Sequence, residues 1–205
     1  MERAPRPDRR TWLLLAVFAV FAVSAAFALR LSAASAPSLR LPDLDNRLVD
    51  PFETAADTRA IVFLFISVDC PISNRYAPEI RRLNEKFGQR GVVFRLVYPN
   101  PAESPEAIRG HLKDYRYPAS AIRDPRQQLA RFAAATITPE AAVYDRQGRR
   151  IYLGRVDDRY VALGVERPAP TRHDLEEALD ATLAGKPVRQ PTAPAVGCFI
   201  ADFAQ

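Results

Sequence analysis

Apolar residues fall along the chain in blocks of different length, and the lengths separate different kinds of element. The first block, residues 12–29 (WLLLAVFAVFAVSAAFAL), runs 18 residues without a charge. As a helix rising about 1.5 Å per residue it spans roughly 27 Å, close to a bilayer's hydrocarbon core. Two later blocks are short and continuously apolar: residues 61–67 (IVFLFIS) and 92–98 (VVFRLVY). Their β-branched and aromatic content predicts strands buried on both faces. Between them, residues 73–89 place Tyr76, Ile80, Leu83 and Phe87 on one helical face, and Gly88 and Gly91 end the helix. Strand, helix and strand over about 40 residues make a βαβ unit with a right-handed crossover.

The rest of the pattern is more broken. Residues 32–38 are small and polar and predict a linker, and residues 39–50 predict a strand and turn ending at Asp50-Pro51. Pro99, Pro101 and Pro105 mark a loop, followed by helical stretches at 106–115 and 126–135. Residues 141–145 and 150–156 predict strands joined by the hairpin Arg146-Gln147-Gly148-Arg149. A last helix starts at Thr171-Arg172-His173-Asp174, a capping-box-like sequence, and runs to Ala184 before Gly185. A tail with Pro187, Pro191 and Pro194 follows and leads into Gly197-Cys198-Phe199-Ile200. The order β, α, β, α, β, β, α predicts an α/β fold, a central mixed sheet flanked by helices. The chain divides into a basic flank, apolar span and linker (1–36), one folded domain (37–186) and a proline-rich tail (187–205).

The net charge of +5 hardly bears on the folded part. Residues 1–36 hold five Arg and two acids, so the remainder carries 24 basic and 22 acidic residues. That near balance gives no reason to expect a nucleic-acid partner. Arg3, Arg6, Arg9 and Arg10 precede the apolar span and favour an N-terminus left in the cytoplasm. The span is then a transmembrane signal anchor. The chain is expected to be a single-pass inner-membrane protein, its soluble domain on the periplasmic or extracellular side. Ala34-Ser35-Ala36 offers a cleavage site if the segment is instead a signal peptide. Cys70, Cys198, His111 and His173 are too widely spaced to suggest a metal site, and no cofactor is expected.

Cys70 carries the candidate chemistry. It stands where the buried strand at 61–67 gives way to the helix, in Ser67-Val68-Asp69-Cys70-Pro71-Ile72-Ser73. Unpaired N–H groups at a helix start favour an anion, so a thiolate there is stabilised and nucleophilic. Asp69 opposes this if its carboxylate lies close. His111 falls on the inserted helix and reads as a surface residue. Asp157-Asp158-Arg159 reads as a turn or local salt bridge, and Arg75 and Tyr76 as helix surface and core beside the site.

The segment Cys70-Pro71-Ile72-Ser73 resembles the active-site motif of the thioredoxin-like superfamily, Cys-x-x-Cys, with Ser73 in place of the second cysteine. Over residues 39–186 the chain is similar to bacterial redoxin-domain proteins of the alkyl hydroperoxide reductase/thiol-specific antioxidant type. Four stretches carry the similarity: Ser67 to Asn74, Thr138-Pro139-Glu140-Ala141, Gly154 to Arg159, and Gly197-Cys198-x-Ile200. The resemblance implies a thioredoxin-like fold with an insertion after its second strand. It implies redox activity at Cys70, supported by Ser67, Pro71, Ser73, Thr138 and Pro139, with a cis bond before Pro139 facing the cysteine. The peroxidase pattern Pro-x-x-x-Thr/Ser-x-x-Cys is matched at Ser67, while Phe63 holds its proline position.

Cys198 is the only other cysteine. An extended tail covers roughly 3 Å per residue, so Cys198 can reach Cys70 and act as a second catalytic thiol. A structural disulfide, or a free tail thiol used between chains, are the other readings. Three functions stay open: a membrane-tethered thiol–disulfide oxidoreductase, a thiol peroxidase resolved by Cys198, and a non-catalytic thioredoxin-like binding module. The expected partners are exported thiol or disulfide proteins, small thiols or hydroperoxides.

Overall fold

The computed structural model describes residues 39–201. The expected membrane anchor at 12–29 and its basic flank lie outside these residues. Among the described residues no helix is long and apolar enough to cross a membrane.

The chain opens with a small antiparallel hairpin, β1 (Leu41–Pro42) and β2 (Leu48–Val49). The βαβ unit follows as β3 (Ala60–Phe65), α1 (Pro71–Arg75), α2 (Ala77–Gly88) and β4 (Val92–Tyr98). Next come α3 (Pro105–Asp114), β5 (Ser120–Arg123), α4 (Gln128–Ala133) and β6 (Ile137–Thr138). The hairpin β7 (Glu140–Asp145) and β8 (Arg150–Gly154) precedes a small ribbon, β9 (Tyr160–Ala162) and β10 (Val165–Glu166). The chain ends with α5 (Asp174–Leu183), β11 (Thr192–Ala193) and β12 (Cys198–Phe199). The main sheet has six strands in the order β11-β8-β7-β3-β4-β5. Strands β3, β4 and β5 are parallel, and β7 runs antiparallel to both β3 and β8.

The unbroken apolar run of β3 follows from this placement. Val62, Leu64 and Ile66 share one core with Ile80, Leu83 and Phe87 of α2 and Leu175 and Leu179 of α5. Ile61, Phe63 and Phe65 belong to a second core with Leu129, Ala130 and Ala133 of α4 and Leu41 of β1. Both faces are covered, so alternation along the strand would leave polar groups buried.

The structure corrects the sequence reading in four places. The helix expected over 73–89 is two helices broken at Tyr76. Pro78 has no N–H to give the Asn74 carbonyl, and Tyr76 instead donates to the Ile72 and Ser73 carbonyls, at 3.1 Å each. The insertion holds a strand as well as helices: β5 adds a parallel edge next to β4. The capping box at Thr171 does not form. The Asp158 carboxylate takes both the N–H and the hydroxyl of Thr171, each at 2.6 Å, and the helix starts at Asp174. Finally, the tail is part of the fold. β11 adds to the main sheet in parallel with β8, and β12 pairs antiparallel with β6.

Candidate active site

At the end of β3 the Ile66 N–H bonds to the Val97 carbonyl, and the chain then turns through Ser67–Asp69 into α1. Cys70 is the N-cap of α1, in extended conformation (φ −83°, ψ 109°), and its sulfur accepts the Ser73 N–H at 3.5 Å. Pro71 sits at the first helical position, where a missing N–H leaves no bond unmade. The Cys70 thiol donates to the Thr138 carbonyl at 3.0 Å. The Thr138–Pro139 bond is cis, as the position of Pro139 predicts.

The tail closes the site from the other side. Cys198 stands opposite Thr138 in the β12–β6 pair, the Ile200 N–H bonds to the Thr136 carbonyl at 2.9 Å, and the Thr138 hydroxyl donates to the Cys198 carbonyl at 3.3 Å. Thr138 therefore touches both cysteines, one through its carbonyl and one through its strand pairing. Two glycines let the tail approach so closely. A Cβ at Gly197 would overlap the Thr138 carbonyl oxygen and lie 2.7 Å from the carbonyl carbon. A Cβ at Gly154 would overlap the Ala193 carbonyl oxygen and lie 2.7 Å from the Ala193 nitrogen.

Both cysteines are free thiols, and they perturb each other in opposite directions. Burial pushes the Cys70 thiol up, but the polar groups of Cys198 and Ser73 close to the sulfur outweigh it, and the net shift is downward. Cys198 is pushed up to about 11, by burial and by holding its proton toward Cys70. Of the two, Cys70 is therefore the more readily deprotonated thiol. The Ser73 hydroxyl is buried and has no hydrogen-bond partner among the described residues. In this conformation Cys70 is 1% exposed.

The Ser67 carbonyl accepts the Cys70 N–H at 3.3 Å, but its hydroxyl does not bond to Cys70. Its hydroxyl donates to Glu103 Oε1 at 2.6 Å, and the Val68 N–H donates to the same oxygen at 2.7 Å. Glu103 is buried, and burial holds its carboxyl above the usual range against those two bonds. Sequence reasoning missed Glu103, because an acid in a proline-rich loop reads as surface. Ser67, Thr138 and Cys198 together line a small cavity of about 80 Å³ with Asn100 and Gln127.

His111 is the clearest correction at the site. It is buried, not on the surface, and lies between Tyr98 and Asn74. Its Nδ1 lies 2.9 Å from the Tyr98 hydroxyl and its Nε2 2.7 Å from Asn74 Oδ1, while the Asn74 amide donates to the Val68 carbonyl at 3.1 Å. This ties the turn before Cys70 to the inserted helix. Burial holds the His111 imidazole below its ordinary value. An unfolded chain takes up a proton near pH 6.5 that the native imidazole resists, so His111 costs stability as pH falls below that value. The stability margin of the native protein over His111→Gln is expected to shrink between pH 7.5 and 5.5, as measured by urea unfolding.

Asp157 and Asp158 part company. Asp157 accepts the buried Tyr76 hydroxyl at 2.5 Å and the Arg159 N–H at 2.9 Å, bracing the junction of α1 and α2. Asp158 anchors the loop before α5 and pairs with Arg167 at 3.4 Å. Arg75 is exposed and pairs with Glu166 at 3.3 Å. Among the described residues, one group of three ligand-type side chains exists, Glu79, His173 and Glu176. Its two carboxylates are already paired with Arg82 and Lys86.

A parallel βαβ core, a cysteine at the first strand–helix junction and a cis-proline facing it define a thioredoxin-like domain. Within that class the chain belongs to the Redoxin family, whose model matches residues 31–166. No curated protein matches the sequence. Among solved structures, an uncharacterized conserved protein from Geobacillus kaustophilus is 28% identical, with a TM-score of 0.72 over 83% of this chain and 91% of that one. A hypothetical protein from Sinorhizobium meliloti is also 28% identical, with a TM-score of 0.67 over 82% and 95%. DsbF of Mycobacterium tuberculosis, solved in mixed oxidized and reduced forms, shares the fold at 16% identity, with a TM-score of 0.53 over 71% and 95%.

Proposed function

We propose that the protein is a thiol–disulfide oxidoreductase that uses Cys70 as nucleophile and Cys198 as its second thiol. The observation that carries this reading is the meeting of both cysteines at Thr138, whose carbonyl accepts the Cys70 thiol and which pairs with Cys198 across β6 and β12. The Cys70 thiolate attacks one sulfur of a substrate disulfide, forms a mixed disulfide and expels the other sulfur as a thiolate. Cys198 then gives its proton to that leaving thiolate and attacks the Cys70 sulfur. The second substrate thiolate leaves, and the Cys70–Cys198 disulfide forms. The substrate gains two electrons and the protein loses them. An oxidised chain runs the same steps backwards on a dithiol.

A hydroperoxide is a poorer fit. The hydroxyl of Ser67 is engaged by Glu103, and Phe63 is part of the core. The apolar span at 12–29 and its basic flank support a tether that holds this domain on the outer face of the inner membrane, facing exported proteins and small thiols.

The test is a trap. In cells making the full chain with Cys198→Ala, acid-quenched extracts on non-reducing gels are expected to show mixed disulfides that vanish when Cys70 is also replaced. A membrane-impermeant maleimide applied to intact spheroplasts is expected to label the reduced native protein and not a variant lacking both cysteines. An empty trap with folded protein present would favour a binding module without catalysis.

A further inference from the structure

A second feature lies at the other pole of the sheet. β3 runs six residues from Ala60 to Phe65, so about 20 Å separates its start from the turn before Cys70. Arg59 precedes that start, and Asp145 pairs with Ala60 across the sheet. Around them opens a cleft of about 680 Å³ whose charged lining is Arg59, Arg146, Arg149, Arg150, Lys186 and Asp145.

The charges do not cancel. Asp145 is spent locally, on the N–H groups of Gln147 and Arg149 and on the Arg149 guanidinium at 2.7 Å. Among the described residues, none of the other four cations has an ion-pair partner. Three of them are held instead by main-chain carbonyls: Arg59 by Leu183, Arg150 by Ala133 and Arg146 by Ala56. Those bonds fix the guanidiniums in place without neutralising them. Arg82, Arg90, Arg109 and Arg155, by contrast, are paired with acids. The cleft lining is thus strongly positive, while the folded part as a whole is close to neutral.

We propose that this cleft binds a phosphate-bearing anion. Preset guanidinium forks match phosphate oxygens, and a compact lysine adds a point charge. Four unpaired cations call for more than one negative charge. The lining contains no aromatic side chain, so there is no surface on which a nucleobase could stack. Two sources share this chemistry, a free phosphate compound and the phosphodiester headgroup of an anionic lipid.

The full chain, held in a non-ionic detergent, is titrated by calorimetry at constant ionic strength. The probes are inorganic pyrophosphate and glycerophosphoglycerol, a lipid headgroup without its acyl chains. Saturable binding of either, weakened at least about tenfold in Arg146→Gln/Lys186→Gln, is the expected result. Binding of pyrophosphate alone identifies a free phosphate as the ligand type, and binding of glycerophosphoglycerol alone identifies a headgroup. Both substituted side chains are exposed, and an unchanged Cys70 alkylation rate will show that the variant is folded. No saturable heat above a chloride control, or equal affinity in the folded variant, overturns the proposal.

Discussion

Replacing Cys70 by serine is expected to abolish thiol–disulfide exchange, leaving only the background rate of the model disulfide with its reductant. The sulfur is both the attacking atom and the atom on which the mixed disulfide forms, and a serine oxygen cannot form a disulfide. Cys198 is not expected to substitute, because burial, which does not depend on Cys70, still pushes its thiol up. The sign of the pH dependence follows from the same pair. In the native protein the rate of Cys70 alkylation should reach half its maximum below the ordinary cysteine value. In Cys198→Ala the midpoint should move upward, since the thiolate has lost a hydrogen-bond donor while its burial remains. Each unit of that movement corresponds to about 1.4 kcal/mol. Alkylation with an ordinary midpoint in the native protein would remove the nucleophile from the mechanism.

Gly197→Ala is expected to break the site without touching either cysteine. The added methyl has nowhere to go, because the Thr138 carbonyl occupies its position and is itself fixed by the Cys70 thiol. The backbone of the tail must lift, which disrupts the pairing of Cys198 and Phe199 with Thr138 and Ile137. Overpacking of this kind costs about 1–3 kcal/mol. The larger effect is on chemistry. Formation of the Cys70–Cys198 disulfide under a fixed glutathione buffer should slow at least about tenfold, because two thiols held in contact become thiols that must find each other. The Cys70 midpoint should rise as it does in Cys198→Ala. Native rates of disulfide formation in Gly197→Ala would mean that the tail does not need its strand.

What the sequence shows and what it hides follow from how local each interaction is. The run at 61–67 is readable because both faces of β3 are covered, and Cys70 is readable because it closes that run beside Pro71. β5 is not readable: of Ser120, Ala121, Ile122 and Arg123 only Ile122 is buried, so an edge strand leaves almost no apolar trace. The break at Tyr76 depends on one missing N–H, while the apolar face continues across it without a gap. Glu103 and His111 are hidden for another reason. Each is polar and each is buried by partners far along the chain: Glu103 by Ser67, and His111 by Asn74 and Tyr98. The pairings of β11 and β12 involve two residues each and join the tail to strands that lie many positions earlier. No periodicity can arise from a strand of two residues.

The anchoring of β11 on β8 has a consequence for timing. Only Pro194, Ala195, Val196 and Gly197 separate the fixed Ala193 from Cys198. At about 3.5 Å per residue the tail thiol cannot stray beyond roughly 17 Å from its anchor. One thiol confined to a sphere of that radius is at an effective concentration on the order of 0.1 M. If β12 lifts to admit a substrate, Cys198 remains far more abundant, as Cys70 sees it, than any dilute thiol in solution. A short leash thus makes the mixed disulfide a brief state and commits the protein to finishing the exchange by itself.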